Sequence, residues 1–544
     1  MRLNRRTFAK LIGGVSMLGV AGLAPSILRA QEGEARPGGR LLFGVESEPT
    51  TFNGQINGLA KARVVLRNIF EPLFARTQDG GLAPWLAQSY EIEDDGRAYV
   101  FTLREGIRFS DGLPLDAEAA ALNFERIRDA AYAPTLGGGL IARLEKVEAL
   151  DARRFRLTLN GVFAPFLGAV SAVELISPAA FDSPELKAGG KSVAGTGPFI
   201  LETYVRGQEA RLVRNPDYAW APEGAPQQGA ALLDEVVFRF LPESAVRIGA
   251  LQSGQVDVIE GVSGNDASLF QDDEAFTYQR GYNTGAPYSI FFNVESGPTA
   301  DVAVRKAAGA AVDLDAVLQS VYRGQRTRAW GINSPIEPNV YDASIEGRLA
   351  FDPDEANRLL DTAGWTDRDG EGFRTKDGER LSIHLVQSQS TVRDQRDVLL
   401  QALQAQLRQN AGIELDVEYV DAGTYTDRRN TGAFGAITNS NAQSDGLDLE
   451  YKYLPPEDGG AHFFSRARQP ELKELLNEAA ATLDPAARKA VYGRLQDFVL
   501  LQEAIAFPLY VPEDQIAASA EVKNLRFRTY AQVPESVYGV WLDR

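Results

Sequence analysis

A chain of 544 residues with no cysteine must hold itself together without covalent crosslinks between side-chain sulfurs. Neither a disulfide framework nor a thiolate metal site is open to it. Its length leaves room for two or three domains, each with a buried core of its own. Apolar residues make up 44% and charged residues 24%, the balance of an ordinary folded chain rather than a disordered one. The only methionines are Met1 and Met17, both in the first stretch of the chain.

That first stretch reads as a leader. Asn4-Arg5-Arg6-Thr7-Phe8-Ala9-Lys10 precedes an apolar, glycine-containing run from Leu11 to Ala24, and Leu28-Arg29-Ala30 follows. Paired arginines ahead of a moderately apolar run match a twin-arginine export signal, with cleavage expected after Ala30. The run is shorter than the ~20 apolar residues that span a bilayer. No cysteine follows it, so no N-terminal lipid anchor is expected, and the processed chain is predicted to be free in the periplasm. Loss of Arg2, Arg5, Arg6, Lys10 and Arg29 takes the net charge from −18 to −23. Such a chain repels nucleic acid and anionic lipid, whose binding rests on lysine and arginine. Small solutes and other proteins remain as partners.

The rest alternates strand and helix signals. Leu41-Leu42-Phe43-Gly44-Val45 suits a strand buried on both faces. Tyr90-Glu91-Ile92 and Tyr99–Leu103 flank Asp95-Gly96, a hairpin signal. Ile413, Leu415, Val417 and Tyr419 alternate with acids, as in a half-buried strand. Before them Leu399, Ala402, Leu403 and Leu407 share one helical face that stops at Gly412. Asp352-Pro353-Asp354-Glu355 and Asp484-Pro485 each put an N-cap acid before a proline suited to the first helical turn. A helix feeding a strand is the unit of a mixed or parallel sheet, so the fold class is α/β. Without a low-complexity linker, the chain is expected to cross between its lobes more than once.

Catalytic chemistry is poorly provided for. Only His384 and His462 are available, far apart in sequence. His384 lies opposite the face of Leu381, Ile383 and Leu385 and reads as a solvated strand residue; His462, in Ala461-His462-Phe463-Phe464, is a candidate cleft residue. There is no phosphate loop, zinc HExxH or GxSxG elbow. Gly195-Thr196-Gly197-Pro198 reads as a turn, because Pro198 lacks the backbone donor a phosphate cradle requires. The chain is not expected to be an enzyme and no cofactor is implied. A secreted hydrolase and a periplasmic chaperone stand as the rival classes.

An ordered series of blocks carries a resemblance. Asn68-Ile69-Phe70-Glu71-Pro72-Leu73 is followed by Leu82–Ala87, Ser89-Tyr90-Glu91, and Tyr99–Leu103 with Arg104-Glu105-Gly106-Ile107-Arg108-Phe109-Ser110-Asp111-Gly112. Gly195–Phe199, Arg214-Asn215-Pro216-Asp217-Tyr218, Ala250–Asp257, Phe292-Asn293, Val304–Ala307, Ala311–Asp313 and Ala363-Gly364-Trp365 come later. Over nearly the whole chain after the leader, this series resembles the extracellular solute-binding proteins of family 5, the dipeptide, oligopeptide and nickel-binding group. The resemblance implies a two-lobed periplasmic-binding-protein fold, type II-like, with an inserted subdomain and a hinge of two crossing strands. It divides the chain into a leader at 1–30, lobe I from 37–81, 191–292 and 513–544, the inserted subdomain at 82–190, and lobe II at 293–512. It implies a monomer that captures a small solute by lobe closure and hands it to the permease subunits of an ABC importer in the inner membrane. A di- or oligopeptide is the foremost ligand class, with opines, oligosaccharides and metal chelates as alternatives.

The resemblance also implies a site. Family members pair a ligand amine with an acid in a D-x-P-D-P segment. Asp445 and Asp448 fall on its two acids, in the Asn439–Leu449 stretch that also holds Asn441, while Leu447 and Leu449 replace the prolines. Tyr322–Gly331 matches a cleft-lining stretch. There Arg328 is the candidate partner of a ligand carboxylate and Trp330 a candidate stacking platform. On the opposite lobe the equivalent is Glu46-Ser47-Glu48, with Glu48 the candidate ligand. Trp85, Trp220, Trp330, Trp365 and Trp541 are the available platforms for a sugar.

Overall fold

The structure, a computed structural model, describes residues 35–57, 60–77, 80–129, 141–443, 445–447, 449–458, 460, 462–526 and 536–544. The leader and Asp448 lie outside the described residues. The apolar run Arg40–Val45 is the middle strand of a seven-stranded sheet, where an uninterrupted apolar stretch belongs because both faces are covered. It runs parallel to Glu235–Phe240 on one side and Val258–Glu260 on the other. Glu209–Arg214 and Phe199–Val205 extend the sheet at one end, and Glu513–Ser519 and Phe276–Tyr282 complete the other. This sheet is lobe I.

Lobe II is built on a six-stranded sheet in the order Thr327–Arg328, Ala506–Val511, Tyr288–Phe292, Ala436–Asn439, Ser382–Ser388, Glu414–Val420. Side-chain alternation loads both faces. Ile290, Phe292 and Leu385 pack one way with Leu399, Leu403 and Leu407 of the helix Arg396–Ala411. Phe291, Val386 and Ile437 pack the other way with the helices Pro470–Ala481 and Pro485–Asp497. The helix starts form as their sequences dictate. Asp352 accepts from the Glu355 backbone N–H at 2.9 Å and Asp484 from that of Ala487 at 2.8 Å. Gly412, at φ 68°, closes the helix Arg396–Ala411 in the left-handed region that favours glycine.

Two strands pass between the sheets. Phe276–Tyr282 belongs to lobe I and Tyr288–Phe292 to lobe II; Ala506–Val511 belongs to lobe II and Glu513–Ser519 to lobe I. The first crossing therefore comes before Tyr288, not at Asn293 as the sequence division has it. The buried pairing of Tyr288–Phe292 with Ala436–Asn439 fixes that strand in the second sheet. The crossings are tied directly, the Asn283 N–H donating to the Pro512 carbonyl at 2.8 Å. Between Ala87 and Leu159 a four-stranded antiparallel sheet, Ala87–Glu93, Ala98–Leu103, Arg154–Leu159 and Leu144–Ala149, is backed by the helix Ala117–Arg128.

Three of the sequence blocks meet around Glu71. Its carboxylate is fully buried and accepts from Tyr218 at 2.6 Å, Thr196 at 3.0 Å and the Trp220 indole at 3.0 Å. The Gly197 and Phe199 N–H groups donate to the carbonyls of Ile69 and Asn68. A Cβ on Gly197 would lie 2.4 Å from the Asn68 carbonyl oxygen, which is why a glycine stands there. Burial pushes the Glu71 carboxyl up to about 8, against the three donors that favour the charged form. Since this lies above the value in the unfolded chain, the native state keeps a proton that the unfolded state loses between about pH 4.5 and pH 8.

This gives a first prediction. Stability contributed by Glu71 is complete below about pH 4.5 and drains away as pH rises through about 8, with a slope of up to ~1.4 kcal/mol per pH unit. Urea unfolding of the wild type and of Glu71→Gln from pH 5 to pH 8.5 measures it. The variant is expected to show the flatter profile, and parallel profiles would contradict the assignment.

Candidate functional site

Ligands in open α/β sheets gather beyond the carboxyl ends of parallel strands. Both lobes obey this at the hinge. Glu46 follows the strand Arg40–Val45 and Gly261 follows Val258–Glu260, while Arg393–Arg396 follow Ser382–Ser388 in the other lobe. Together with Tyr322, Arg326 and the crossing residues Pro512–Gln515, they enclose a cavity of about 280 Å³. That lies at the small end of ligand pockets, which run roughly 300–1,000 Å³.

Lobe I supplies a lysine among acids. Lys61 pairs with Asp514 and lies 3.8 Å from Glu46. The Glu46 N–H donates to Glu260 at 3.0 Å, and Arg247 approaches Glu46 at 3.7 Å. Burial alone would lower the Lys61 pKa, but Asp514, Glu46 and Glu260 outweigh it and hold the ammonium charged. Burial raises Asp514 and Glu260, opposed by the same lysine.

Lobe II supplies guanidinium groups. Arg326 reaches Asp394 at 3.1 Å. Arg396 lies under the Tyr288 ring at 4.0 Å and donates to the Tyr510 hydroxyl at 2.9 Å and Ser440 at 3.2 Å. It is 2% exposed and has no carboxylate within ion-pair distance among the described residues. Asp394 and Gln395, at φ 53° and 54°, turn the chain through the left-handed region just before the helix Arg396–Ala411. Such strain in non-glycine residues collects at functional sites.

Away from the hinge the lobes also touch. Asp445, at φ 66°, sits between Arg76 of the first lobe at 3.9 Å and Arg488 of the second at 3.3 Å. Its backbone N–H donates to Glu337 at 2.6 Å. Arg143 reaches both oxygens of Glu450 at 2.8 and 2.9 Å, and the Ala164 N–H donates to the Ala480 carbonyl at 2.7 Å. Leu447 packs into the first lobe's core.

The five of the six residues singled out by sequence that lie among the described residues are therefore scattered. Asn441 and Asp445 share one loop, the former held through its N–H to the Ala286 carbonyl at 3.3 Å. Glu48 does not line the hinge cavity; it accepts from the Tyr204 hydroxyl and from the Gly207 N–H at 2.8 Å. Arg328 does not line it either. It stacks on Trp330 at 3.7 Å and pairs with Asp315 at 2.5 Å. Trp330 packs against the second lobe's core. Trp85, Trp220, Trp365 and Trp541 are all buried.

Sequence reasoning passed over Lys61, Arg326, Asp394, Arg396 and Asp514. The unusual density of charge in Arg393-Asp394-Gln395-Arg396, at the start of an otherwise amphipathic helix, was the available signal. The histidines lie elsewhere. His384 contacts Asp416 at 2.9 Å and Glu418 at 3.1 Å on an edge strand. His462 is stacked on Phe464 beside Arg429, where burial and that charge lower its pKa to about 4.

The family model for bacterial extracellular solute-binding proteins, family 5 Middle, matches residues 81–456. The nickel-binding periplasmic protein of Escherichia coli (strain K12) is 28% identical over 485 residues, covering 85% of this chain and 87% of that one. The glutathione-binding protein GsiB of Shigella dysenteriae serotype 1 (strain Sd197) is 27% identical over 478 residues, covering 85% and 86%. The crystal structure of NikA from Brucella suis in complex with Fe(III)-EDTA superposes with a TM-score of 0.79 at 26% identity, over 91% of this chain and 99% of that one.

The rim contacts generate a second prediction. Arg143→Ala removes one interlobe ion pair that is partly exposed and so is worth only about 1 kcal/mol. The open fraction of the ligand-free chain is expected to rise by roughly fivefold. A larger radius of gyration in small-angle scattering checks it, and an unchanged profile would assign the pair no role in closure.

Proposed function

This chain belongs to the bacterial extracellular solute-binding proteins of family 5, the solute-capturing components of ABC importers, and we propose that the hinge cavity is where it holds its ligand. The observation that carries the reading is that each lobe contributes charged, buried walls to one ligand-sized space at the crossing strands. A solute that touches both walls stabilises the closed form by its differential contacts, and closure is what a permease reads. The ligand class is a small peptide-like solute; opines and metal chelates are the nearer alternatives. Sugars are less favoured, since Trp330 is the one tryptophan not fully buried and it lies under Arg328. Among the described residues no group of three histidine or acidic side chains is placed to hold a bare metal ion, so a metal would enter only as a chelate.

The same reading takes the processed chain as an unanchored periplasmic monomer exported by the twin-arginine route, with the segment 82–190 as the inserted subdomain. It also takes the protein as a binder without catalytic activity. No helix among the described residues is long and apolar enough to cross a membrane.

The test is thermal stability of the processed chain against di- to hexapeptides, opines, oligosaccharides and nickel chelates. A native-state ligand at a hundredfold excess over its Kd stabilises by ~2.7 kcal/mol. A shift with peptides is the expected result. A shift with chelates or sugars alone would keep the capture role and discard the peptide class. No shift with any of them would count against the capture reading and favour a chaperone.

A further inference from the structure

The first crossing is held at 284–286 by one loop of lobe II. The Asn441 N–H donates to the Ala286 carbonyl at 3.3 Å, and the Thr284 hydroxyl to the Ala442 carbonyl at 3.0 Å. A Cβ on Gly285 would lie 2.7 Å from the Asn441 carbonyl oxygen and 2.8 Å from the Gln443 nitrogen, so the two backbones touch. The Ser334 N–H donates to the Gly285 carbonyl at 2.8 Å.

Glu337 joins this crossing to Asp445. One of its carboxylate oxygens accepts from the Gly285 N–H at 2.5 Å and from the Asn333 amide at 3.3 Å; the other accepts from the Asp445 N–H at 2.6 Å. Glu337 is 2% exposed. A buried carboxylate depends on such donors, and bonds to a charged acceptor are stronger than neutral ones. The Asp445 carboxylate then reaches the other lobe. It lies 3.9 Å from Arg76 of lobe I and 3.3 Å from Arg488 of lobe II. A Cβ on Gly168, in the short helix Phe166–Val170, would lie 3.0 Å from it. The Asp445 backbone stands at φ 66°, a left-handed conformation that a non-glycine residue keeps only where its surroundings hold it. The contacts form one line from the crossing through Glu337 and Asp445 to Arg76. Every group in that line belongs to the chain itself, so the line needs no solute to form.

We propose that Glu337 and the loop carrying Asn441 and Asp445 form a strap that ties the first crossing to the Arg76–Asp445–Arg488 contact, biasing the chain toward its closed form before any solute is bound. Hinge and rim then move as one unit. Rotation at 284–286 displaces Asp445, and separation of Asp445 from Arg76 frees the crossing; the coupling is reciprocal. The strap sets how often the cleft is open rather than what the cleft recognises. The inference rests on lobe closure as the capture step and is independent of where in the cleft the solute sits.

The chain has no cysteine, so one cysteine introduced on the surface of each lobe takes a pair of spin labels at defined positions. Double electron–electron resonance then reads the distance between the lobes in the solute-free processed chain. The long-distance fraction is expected to rise by at least about fivefold in Arg76→Gln and in Asp445→Asn. Glu337→Gln is expected to match them, although the bonds given for it above lie within lobe II and the crossing. The double variant Arg76→Gln with Glu337→Gln is expected to open no further than either single one, since both cut the same line. Thr284→Val removes the hydroxyl bond between crossing and loop while keeping the side chain's shape. Paired with Arg76→Gln, it makes the same comparison should circular dichroism show Glu337→Gln unfolded. An unchanged distance in Arg76→Gln would overturn the strap, and additive opening in the double variants would overturn the tie between crossing and rim. The capture reading is judged apart, by whether any peptide, opine, oligosaccharide or nickel chelate shortens the distance in the parent chain.

Discussion

Everything that relates one lobe to the other depends on two strands crossing side by side, joined by the Asn283 N–H and the Pro512 carbonyl. Each crossing leaves one sheet and enters the next within a few residues, so any rotation between lobes is taken up at 283–287 and around Pro512. Proline there has no N–H to give and a restricted φ, which suits a short joint more than a loop. The same residues border the cavity. Asp514 belongs to a crossing and to the cavity wall at once, paired there with Lys61.

The lobes are made to close but not to lock. Apart from the cavity, the interlobe contacts among the described residues include a buried acid shared by two arginines, a partly exposed ion pair and one backbone hydrogen bond. Burial raises Asp445 against Arg76 and Arg488, so desolvation offsets much of the attraction in that triad. A solute shifts the population between two forms only where they lie within a few kcal/mol of each other.

Much of the fold was legible in the sequence because its signals are local. Asp352-Pro353 and Asp484-Pro485 start helices whether or not anything packs on them, and Gly412 ends one by its own φ. The uninterrupted apolar run at Arg40–Val45 announces a strand covered on both sides. The blocks at Asn68–Leu73, Gly195–Phe199 and Arg214–Tyr218 gave no hint by themselves of why they stand together. Glu71 supplies the reason: one buried carboxylate needs donors, and Thr196, Trp220 and Tyr218 bring them from distant stretches. The first crossing was misplaced to Asn293 because Tyr288–Phe292 is equally apolar on either reading, and only its pairing with Ala436–Asn439 decides which sheet owns it.

The site was less legible, and Arg326 and Arg328 show why. They sit two residues apart in the segment that sequence marked as cleft-lining, with Arg326 beside Tyr322 and Asp394 and Arg328 beside Asp315 and Trp330. Arg328 is placed by the pairing of Thr327–Arg328 with Ala506–Val511, a strand distant in sequence. Charge gave no help, because both arginines have an acid beside them. What separates them is what else each meets. Arg328 spends its guanidinium on Asp315, the Leu349 carbonyl and the Trp330 face, while Arg326 Nε is left over. Arg396 is still further from sequence reach. It lines the cavity, where Tyr288 and Tyr510, one from each crossing, cover it, and no carboxylate stands within ion-pair distance among the described residues.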